Sequence, residues 1–277
     1  MAQGKEEQVK EARLGFIGAG AMGGALLRGL LTAARVKPDE VVFYDPDPKR
    51  RQDLEKLGIE AALNNIEVMR SPVVVLAVKP QILRRVLKEI RDFGRPTQLV
   101  ISIAAGVSLT ILEEALPQSR VIRAMPNTPL MVQAGMTALA PGSRATSEDV
   151  DLALDLCRAV GRAEVVEESH LDVVTALSGS GPAFVAVFLE ALADGAVKMG
   201  LPRSLAMEFA AQTALGTARL LQEKNLHPGT LKDLVASPGG TTIHGLHALE
   251  QGAFRAAAMS AVEAATWRAQ DLAAVVK

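Results

Sequence analysis

The stretch LGFIGAGAMG, residues 14–23, joins a short apolar run to a segment compatible with a helix. Its Gly18, Gly20 and Gly23 form the pattern G-x-G-x-x-G. In that pattern the first glycine permits a tight turn, the second lets a pyrophosphate approach the backbone, and the third allows helix and strand to pack closely. The stretch therefore predicts a strand, a turn and a helix that together bind a dinucleotide.

A second apolar run, Val41–Tyr44, is followed by an acidic residue, Asp45. An acidic side chain about 20 residues beyond the glycines is expected to hydrogen-bond a ribose hydroxyl and to repel a 2′-phosphate, which favours NADH. Lys49, Arg50 and Arg51 follow closely, and they would accept that phosphate if the loop turned Asp45 aside. The residues therefore leave both NADPH and NADH open.

Apolar runs alternate with helical patterns up to about residue 166. The main strand candidates are residues 14–17, 41–44, 73–78, 99–103 and 121–123, and two candidates for edge strands are residues 136–140 and 163–166. This alternation predicts an α/β domain of the Rossmann type, with a doubly wound parallel sheet and helices on both faces. Ligands of such sheets bind beyond the carboxyl ends of the strands.

From about residue 167 the chain becomes rich in alanine and leucine. The segments that favour helix are residues 185–199, 203–224 and 254–276, separated by breaks that contain glycine or proline. We expect a polar tail over residues 1–12, a dinucleotide-binding Rossmann domain over 13–166, and an all-α domain over 167–277. The alanines of the last segment favour close helix contact at a subunit interface.

The composition restricts the partners of the protein. The chain has 277 residues, and its 30 basic and 31 acidic residues nearly cancel, so no overall field favours nucleic acid or a membrane surface. A single cysteine excludes an intrachain disulfide, which fits a reducing compartment. The polar first dozen residues lack the apolar core of a signal peptide, and no apolar run reaches about 18 residues. We expect a cytoplasmic protein with a small-molecule ligand and no membrane or nucleic-acid partner.

Stretches rich in glycine or proline mark further candidate sites. SIAAG at 102–106 would let a flat ring approach the backbone, and MPNTP at 125–129 holds Asn127 in a stiff loop, so a nicotinamide is a reasonable occupant. In the helical half, SGSGP at 178–182 and SPGGTT at 237–242 each precede a helix. Unpaired amides and hydroxyls at a helix start suit an anion such as a carboxylate, and a plain turn or cap is the alternative.

Together these stretches resemble the pyrroline-5-carboxylate reductase family. The resemblance runs from Leu14 to about Leu272, and the motifs that carry it are GFIGAGAMG, LAVKP, IAAG, MPNTP, LSGSGPAF, ADGAVKMGL and LKDLVASPGGTTIHGLHALEQG. It implies a dinucleotide-binding domain followed by a helical domain that binds substrate and intertwines in a homodimer, with dimers often joining into larger rings. It also implies the last step of proline biosynthesis, the reduction of 1-pyrroline-5-carboxylate to L-proline with NADPH or NADH.

The resemblance assigns site residues as well. The implied cofactor contacts are Ile17, Gly18, Ala19, Gly20, Ala21, Met22, Asn64, Ala77, Val78, Lys79, Pro80, Ile103, Ala104 and Ala105, and the strand-end patterns add Asp45 and Asn127. The implied substrate contacts are Ser237, Gly239, Gly240, Thr241 and Thr242. Thr242 is the expected catalytic residue, because its hydroxyl would reach the ring nitrogen of the substrate. Some members have a substrate-touching glutamate where this chain has Asn225, so Asn225 is left out of the site.

Three other functions agree with parts of the sequence. A β-hydroxyacid dehydrogenase would share the opening glycines, but it carries a lysine soon after its own glycine-rich helix start, and none follows SGSGP here before Lys198. A non-catalytic NAD(P)-binding sensor would need the cofactor glycines but not SPGGTT. His244 and His247 fall on one face of a predicted helix, yet two histidines without a third ligand make a poor metal site, and we expect no metal.

Overall fold

A computed structural model describes residues 13–276, and the expected polar tail lies outside these residues. The strands are β1 (Leu14–Ile17), β2 (Val41–Tyr44), β3 (Glu60–Ala61), β4 (Val73–Leu76), β5 (Leu99–Ser102), β6 (Arg120–Met125), β7 (Gly135–Pro141) and β8 (Gly161–Val165). They form one sheet in the order β3-β2-β1-β4-β5-β6-β7-β8. Neighbouring strands are parallel except β6 and β7, which are antiparallel.

The predicted Rossmann-type class is confirmed, with differences in individual strands. β4 ends at Leu76, two residues earlier than expected, because Lys79 and Pro80 already begin the next helix. β5 likewise ends one residue early, and β6 is longer than predicted at both ends. The two expected edge strands exist as β7 and β8, but β7 is antiparallel and lies inside the sheet. β3 was not predicted, because two residues are too short to show an apolar pattern.

Helices cover both faces of this sheet. They are α1 (Ala21–Thr32), α2 (Pro48–Glu55), α3 (Asn65–Val68), α4 (Pro80–Ile90), α5 (Leu109–Ala115), α6 (Ser147–Arg158) and α7 (Leu171–Val174). On β4, Val74 and Leu76 belong to one apolar cluster with Leu83 of α4, whereas Val75 belongs to a second cluster with Leu27 of α1. Side chains alternate across a strand, so a strand buried on both faces is apolar throughout.

The chain divides into two compact units. The first extends to Gly179 and includes the stretch from Ala265 onward, and the second is Ser180–Ala264. This division falls later than the expected boundary between residues 166 and 167. The reason is that α7 still packs on the sheet: Leu171 is fully buried in a core cluster of the first unit, and Glu168 pairs with Arg123 of β6.

The remaining helices confirm an all-α second half. They are α8 (Gly181–Lys198), α9 (Arg203–Lys224), α10 (Pro228–Val235), α11 (Thr241–Gln251) and α12 (Phe254–Val276). The bounds of α9 and α12 agree with the predicted segments. α8 begins four residues before its predicted start, at Gly181, because the proline at position 182 is tolerated in a first helical turn.

The second unit exposes many large apolar side chains. Val187, Phe209 and Met259 are each more than half exposed. Among residues 13–276, one helical stretch, Glu168–Lys198, is long and apolar enough to cross a membrane by length and composition alone. The mean hydropathy of 18 consecutive residues within it is 1.5, and only 11% of those residues are buried. Apolar helices with so little burial inside their own chain leave a surface suited to a partner.

Candidate active site

The strand order places the predicted cofactor residues side by side. β3, β2, β1, β4, β5 and β6 are parallel neighbours, so their carboxyl ends lie along one edge of the sheet. In that order, the predicted residues that follow the strands are Asn64, Asp45, Gly18, Ala77, Ile103 and Asn127. The order of strands reverses between β1 and β4, which is where sheets of this class bind ligands.

The glycines after β1 are required by close backbone contacts. Gly18 has φ +96°, and a Cβ there would lie 2.7 Å from the carbonyl oxygen of Ala77. A Cβ on Gly23 would lie 2.6 Å from both the Ala77 Cβ and the Gly18 carbonyl oxygen. Gly20 is the N-cap of α1, with Ala21 and Met22 in the first turn. The loop therefore leaves the first-turn amides of α1 without a side-chain cap, a cradle that fits a pyrophosphate.

Asp45 is bound by its own chain rather than turned towards open space. Its Oδ2 accepts a hydrogen bond from the Ala19 N–H at 2.8 Å, and its Oδ1 accepts one from the Asp47 N–H at 2.9 Å. The Arg50 Nη1 lies 3.4 Å from Oδ2. In the structure this carboxylate ties the end of β2 to the glycine-rich loop, and its hydrogen bond to a ribose hydroxyl stays a prediction.

The loops after β4 and β5 continue the row of strand ends that begins beside β1. Ala77 donates its N–H to the Ile17 carbonyl at 2.8 Å, and Ile103 donates to the Leu76 carbonyl at 3.0 Å. Lys79 is the exposed N-cap of α4. The other predicted residues of these loops are Val78, Pro80, Ala104 and Ala105. At the far end of the row, Asn64 uses its side-chain oxygen to cap α3, accepting from the Glu67 N–H at 2.9 Å.

A cavity of about 370 Å³ lies at the β4 and β5 end of the first unit. Two of its lining residues, Pro80 and Ala105, are predicted cofactor contacts. The other lining residues are Gln81, Arg84, Gly106, Asp172, Thr175, Ala269 and Leu272. Asp172 and Thr175 were missed by sequence reasoning because they precede the LSGSGPAF motif without a pattern of their own. The only signal was their nearness to that motif.

The Asn127 side chain links two loops by hydrogen bonds. It is buried; its Nδ2 donates to the Ser178 carbonyl at 3.0 Å, and its Oδ1 accepts from the Met136 N–H at 2.8 Å. Ser178 lies in a π-helical turn, Thr175–Gly179, just before α8. Asn127 therefore fixes the MPNTP loop to the start of the SGSGP stretch, and both are predicted site motifs.

The five predicted substrate residues are brought together in the second unit, at the start of α11. Gly239 has φ +64°, a conformation that glycine adopts without strain. A Cβ on Gly240 would lie 2.2 Å from the Ser237 hydroxyl oxygen, so a larger residue would force that hydroxyl to rotate away from its present position. Gly240 is the N-cap and has no side chain with which to cap the helix. The amides of Thr241 and Thr242 in the first turn are thus directed at a position suited to an anion.

The histidines near this loop have structural contacts. The His244 Nδ1 lies 2.9 Å from the Gly240 carbonyl oxygen, and the His227 Nδ1 accepts from the Gly229 N–H at 3.1 Å at the start of α10. Across residues 13–276, no group of three or more histidine, cysteine or carboxylate side chains is placed to hold a metal ion. His244 therefore helps to hold the SPGGTT loop at residues 237–242. The sequence did not predict this contact.

Asn225 is the C-cap of α9, at the position where the resemblance implies a glutamate in some members. It ends α9 with φ 47° and ψ 42°, in the left-handed region. Asparagine is one of the few residues other than glycine that adopt this conformation readily. This C-cap turns the chain towards α10.

Comparison with known proteins finds matches for both halves of the chain. Residues 168–272 match the family model described as pyrroline-5-carboxylate reductase dimerisation, and residues 13–106 match the model for NADP oxidoreductase, coenzyme F420-dependent. Pyrroline-5-carboxylate reductase 3 of Rattus norvegicus is 48% identical over 96% of this chain and 98% of its own length. The chain belongs to the pyrroline-5-carboxylate reductase family.

Other members of the pyrroline-5-carboxylate reductase family are similar to this chain over nearly its whole length. The Escherichia coli enzyme is 46% identical over 91% of this chain and 95% of its own length. A Plasmodium falciparum pyrroline carboxylate reductase solved with NADP bound is 33% identical, with a TM-score of 0.86 over 95% of this chain and 98% of that one. As a member of this family, the chain is an NAD(P)H-dependent oxidoreductase, and its dimerisation domain makes it a homo-oligomer.

Proposed function

We propose that the chain reduces 1-pyrroline-5-carboxylate to L-proline with NADH or NADPH, the last step of proline biosynthesis. Besides family membership, the start of α11 supports this most directly. It combines an N-cap that is glycine, uncapped first-turn amides and a threonine hydroxyl within one loop. An N-terminal helix end with free amides binds a carboxylate, which the substrate carries.

The cofactor part of the proposal concerns the first unit. The amides after Gly20 would hold the pyrophosphate, Asp45 and Asn64 would face the adenosine, and Ala77 and Ile103 would face the nicotinamide. This follows the strand order, because the glycine-rich loop is in the middle of the row of strand ends. Ala77 packs closely here, because a Cβ on Gly23 would lie 2.6 Å from the Ala77 Cβ.

The substrate part concerns the loop of Ser237, Gly239, Gly240, Thr241 and Thr242. Backbone amides and hydroxyls hold the carboxylate of the substrate, and the Thr242 hydroxyl hydrogen-bonds the ring nitrogen. A dinucleotide held by the first unit would supply a hydride for the carbon of the C=N bond, and Thr242 would keep its hydrogen bond to the nitrogen, which carries one proton in the product amine. The loop positions the ring and excludes water, which is most of what this reaction asks of a protein.

The domain organisation, assembly and location follow from the same proposal. We assign cofactor binding to residues 13–166 and substrate binding and dimerisation to residues 167–277, and we expect the dimers to join into a larger homo-oligomer. The exposed apolar helices of the second unit are assigned to contacts between subunits rather than to a membrane. The reaction and the single buried cysteine, Cys157, fit the cytoplasm.

The direct test follows oxidation of NADH and of NADPH at their absorbance band, with and without 1-pyrroline-5-carboxylate. Loss of absorbance that depends on the substrate is expected with at least one cofactor. Identical traces with and without substrate, for both cofactors, would refute the imine assignment. They would favour the non-catalytic sensor.

A further inference from the structure

Gly240, the N-cap of α11, is held by hydrogen bonds on both of its polar groups. Its N–H donates to the Ser237 carbonyl oxygen at 3.0 Å. Its own carbonyl oxygen lies 2.9 Å from the His244 Nδ1, one helical turn further along α11. A carbonyl oxygen can only accept a hydrogen bond, so the His244 Nδ1 carries the proton and donates it.

The contact of His244 leaves the first-turn amides of α11 open. A serine or aspartate at the N-cap would occupy one of these amides with its own side chain, whereas glycine has no side chain to do so. The N-cap carbonyl accepts the first backbone hydrogen bond of a helix, and its second lone pair is free to accept from His244. His244 therefore stabilises the helix start from the carbonyl side, and the amides remain available to a ligand.

The Gly240 carbonyl and the Thr241 N–H belong to one peptide unit. Such a unit is planar and trans, so its C=O and N–H point in opposite directions. A hydrogen bond that holds the Gly240 carbonyl along α11 therefore also sets the direction of the Thr241 N–H, which points out of the helix start. The same bond polarises the peptide, and this strengthens the N–H as a donor. His244 thus acts on an amide that its ring does not contact.

We propose that His244 is a positioning residue for the substrate carboxylate, acting through the peptide that joins Gly240 to Thr241. The proposal rests on the proposed function, in which amides at the start of α11 hold that carboxylate. Loss of the His244 hydrogen bond weakens the grip on the carboxylate equally in the ground state and in the transition state. It therefore raises the KM for the imine and leaves kcat nearly unchanged.

Three variants test this role, and His244 is exposed, so none of its replacements removes a core contact. His244→Ala removes the donor. His244→Asn restores it, because the amide nitrogen of asparagine is bonded to Cγ as the histidine Nδ1 is. His247→Ala is the matched control. His247 lies three residues further along α11 and lines the same surface cavity as His244, so its replacement removes a second imidazole from the same helix.

Steady-state kinetics and calorimetric titration with L-proline measure the effect. His244→Ala is expected to raise the KM for the imine and the Kd for L-proline by about three- to tenfold, as for loss of one neutral hydrogen bond. Its kcat and its KM for the cofactor should stay within about twofold of the parent values. His244→Asn and His247→Ala should stay within about twofold in every constant. Equal losses in His244→Ala and His247→Ala, or no recovery in His244→Asn, would overturn the proposal.

A measurement on the ligand-free protein separates this proposal from the proposed function. At about pH 9, where histidine rings are neutral, ¹⁵N NMR of histidine-labelled protein distinguishes a ring protonated at Nδ1 from one protonated at Nε2. The signals lost in His244→Asn identify His244, and we expect the Nδ1–H form. The Nε2–H form would overturn the role of His244 even in an active enzyme. An Nδ1–H ring in a parent protein that neither reduces the imine nor binds L-proline would refute the proposed function, and the carboxylate role with it.

Discussion

Thr242 is the single residue on which the proposed chemistry depends most. It is half-buried in the first turn of α11, next to a loop whose shape depends on Gly239 and Gly240. Thr242→Ala is expected to lower kcat by about tenfold to a hundredfold, because a hydrogen bond to the developing amine is lost. The KM for the cofactor should change by less than about twofold. Steady-state kinetics with varied substrate and varied cofactor measure both effects.

Thr242→Ser is the matched control for that prediction. Serine keeps the hydroxyl and removes only a methyl group, so most of the activity should remain. If Thr242→Ser lost as much activity as Thr242→Ala, the methyl group and not the hydroxyl would be the important feature. Equal damage to kcat and to cofactor KM in Thr242→Ala would also contradict the assigned role.

Cys157 should be chemically inert in the folded protein. Burial raises the pKa of its thiol to about 11, and a hydrogen bond with Thr137 offsets this only in part. We expect a thiol reagent such as Ellman's to react only after denaturant is added, since the thiolate is the reactive form. Fast modification of the native protein would show that α6 opens readily.

The same thiol makes stability depend on pH in a defined direction. In the unfolded chain the thiol ionises near pH 9, whereas the folded chain keeps the proton up to about pH 11. The unfolded state therefore loses protons first, and the free energy of unfolding should fall as pH rises through this window. Denaturation curves of the parent and of Cys157→Ala across the window should converge as the pH rises.

At the scale of elements, the pairing of β7 and β8 depends on two facing glycines. Gly135 and Gly161 are partners in the register, and a Cβ on Gly161 would lie 2.1 Å from the Gly135 carbonyl oxygen. Gly161→Ala should lower the free energy of unfolding by about 3 kcal/mol, because two backbones would have to separate. Chemical denaturation measures this loss.

Gly195→Ala is the control for that substitution. Gly195 lies inside α8, and within residues 13–276 a Cβ there meets no atom within 4 Å apart from its chain neighbours and the nearby backbone of its own helix. The change should be neutral or stabilising by up to about 1 kcal/mol, because alanine favours helix. A Gly161→Ala variant as stable as the parent would show that the edge of the sheet rearranges freely.

The elements that the sequence predicted well are those whose burial leaves a long pattern. β1 and β4 are apolar on both faces, and α9 lies between the two predicted breaks, which contain Pro202 and Pro228. β3 has two residues and pairs only with β2, so no pattern could reveal it. The antiparallel direction of β7 also depends on contacts made across the sheet.

The candidate site could be predicted in outline but not in its bonding. The motifs identified the glycine-rich loop and the SPGGTT loop, because glycine at fixed spacing has local causes. That the Asp45 carboxylate accepts from Ala19 depends on two segments folding together, which no local pattern encodes. The same holds for Asp172 and Thr175, which reach their cavity through the packing of the first unit.

At the scale of the whole molecule, the helical unit should be marginal as a monomer. Phe209 and Met259 are among its exposed apolar side chains. Phe209→Asp is expected to convert dimers into monomers at micromolar concentration, to lower the melting temperature, and to remove the dependence of the melting temperature on protein concentration that the parent shows. Sedimentation analysis and thermal denaturation at several concentrations measure these effects.

Phe93→Asp provides the comparison for the oligomer. Phe93 is also exposed, but it lies in the first unit, after α4. This variant should sediment like the parent. If Phe93→Asp dissociated the protein and Phe209→Asp did not, the subunit contact would belong to the first unit.

The row of strand ends has a consequence for the length of molecule that it suits. Six parallel neighbours from β3 to β6 give five intervals of about 4.8 Å, a span of about 24 Å between the end positions. A mononucleotide occupies only part of this span. The two halves of a dinucleotide therefore behave as tethered ligands, in which docking of one half raises the local concentration of the other. Affinity for the intact cofactor should exceed that for either half by a margin that measures how rigidly the strands hold their spacing.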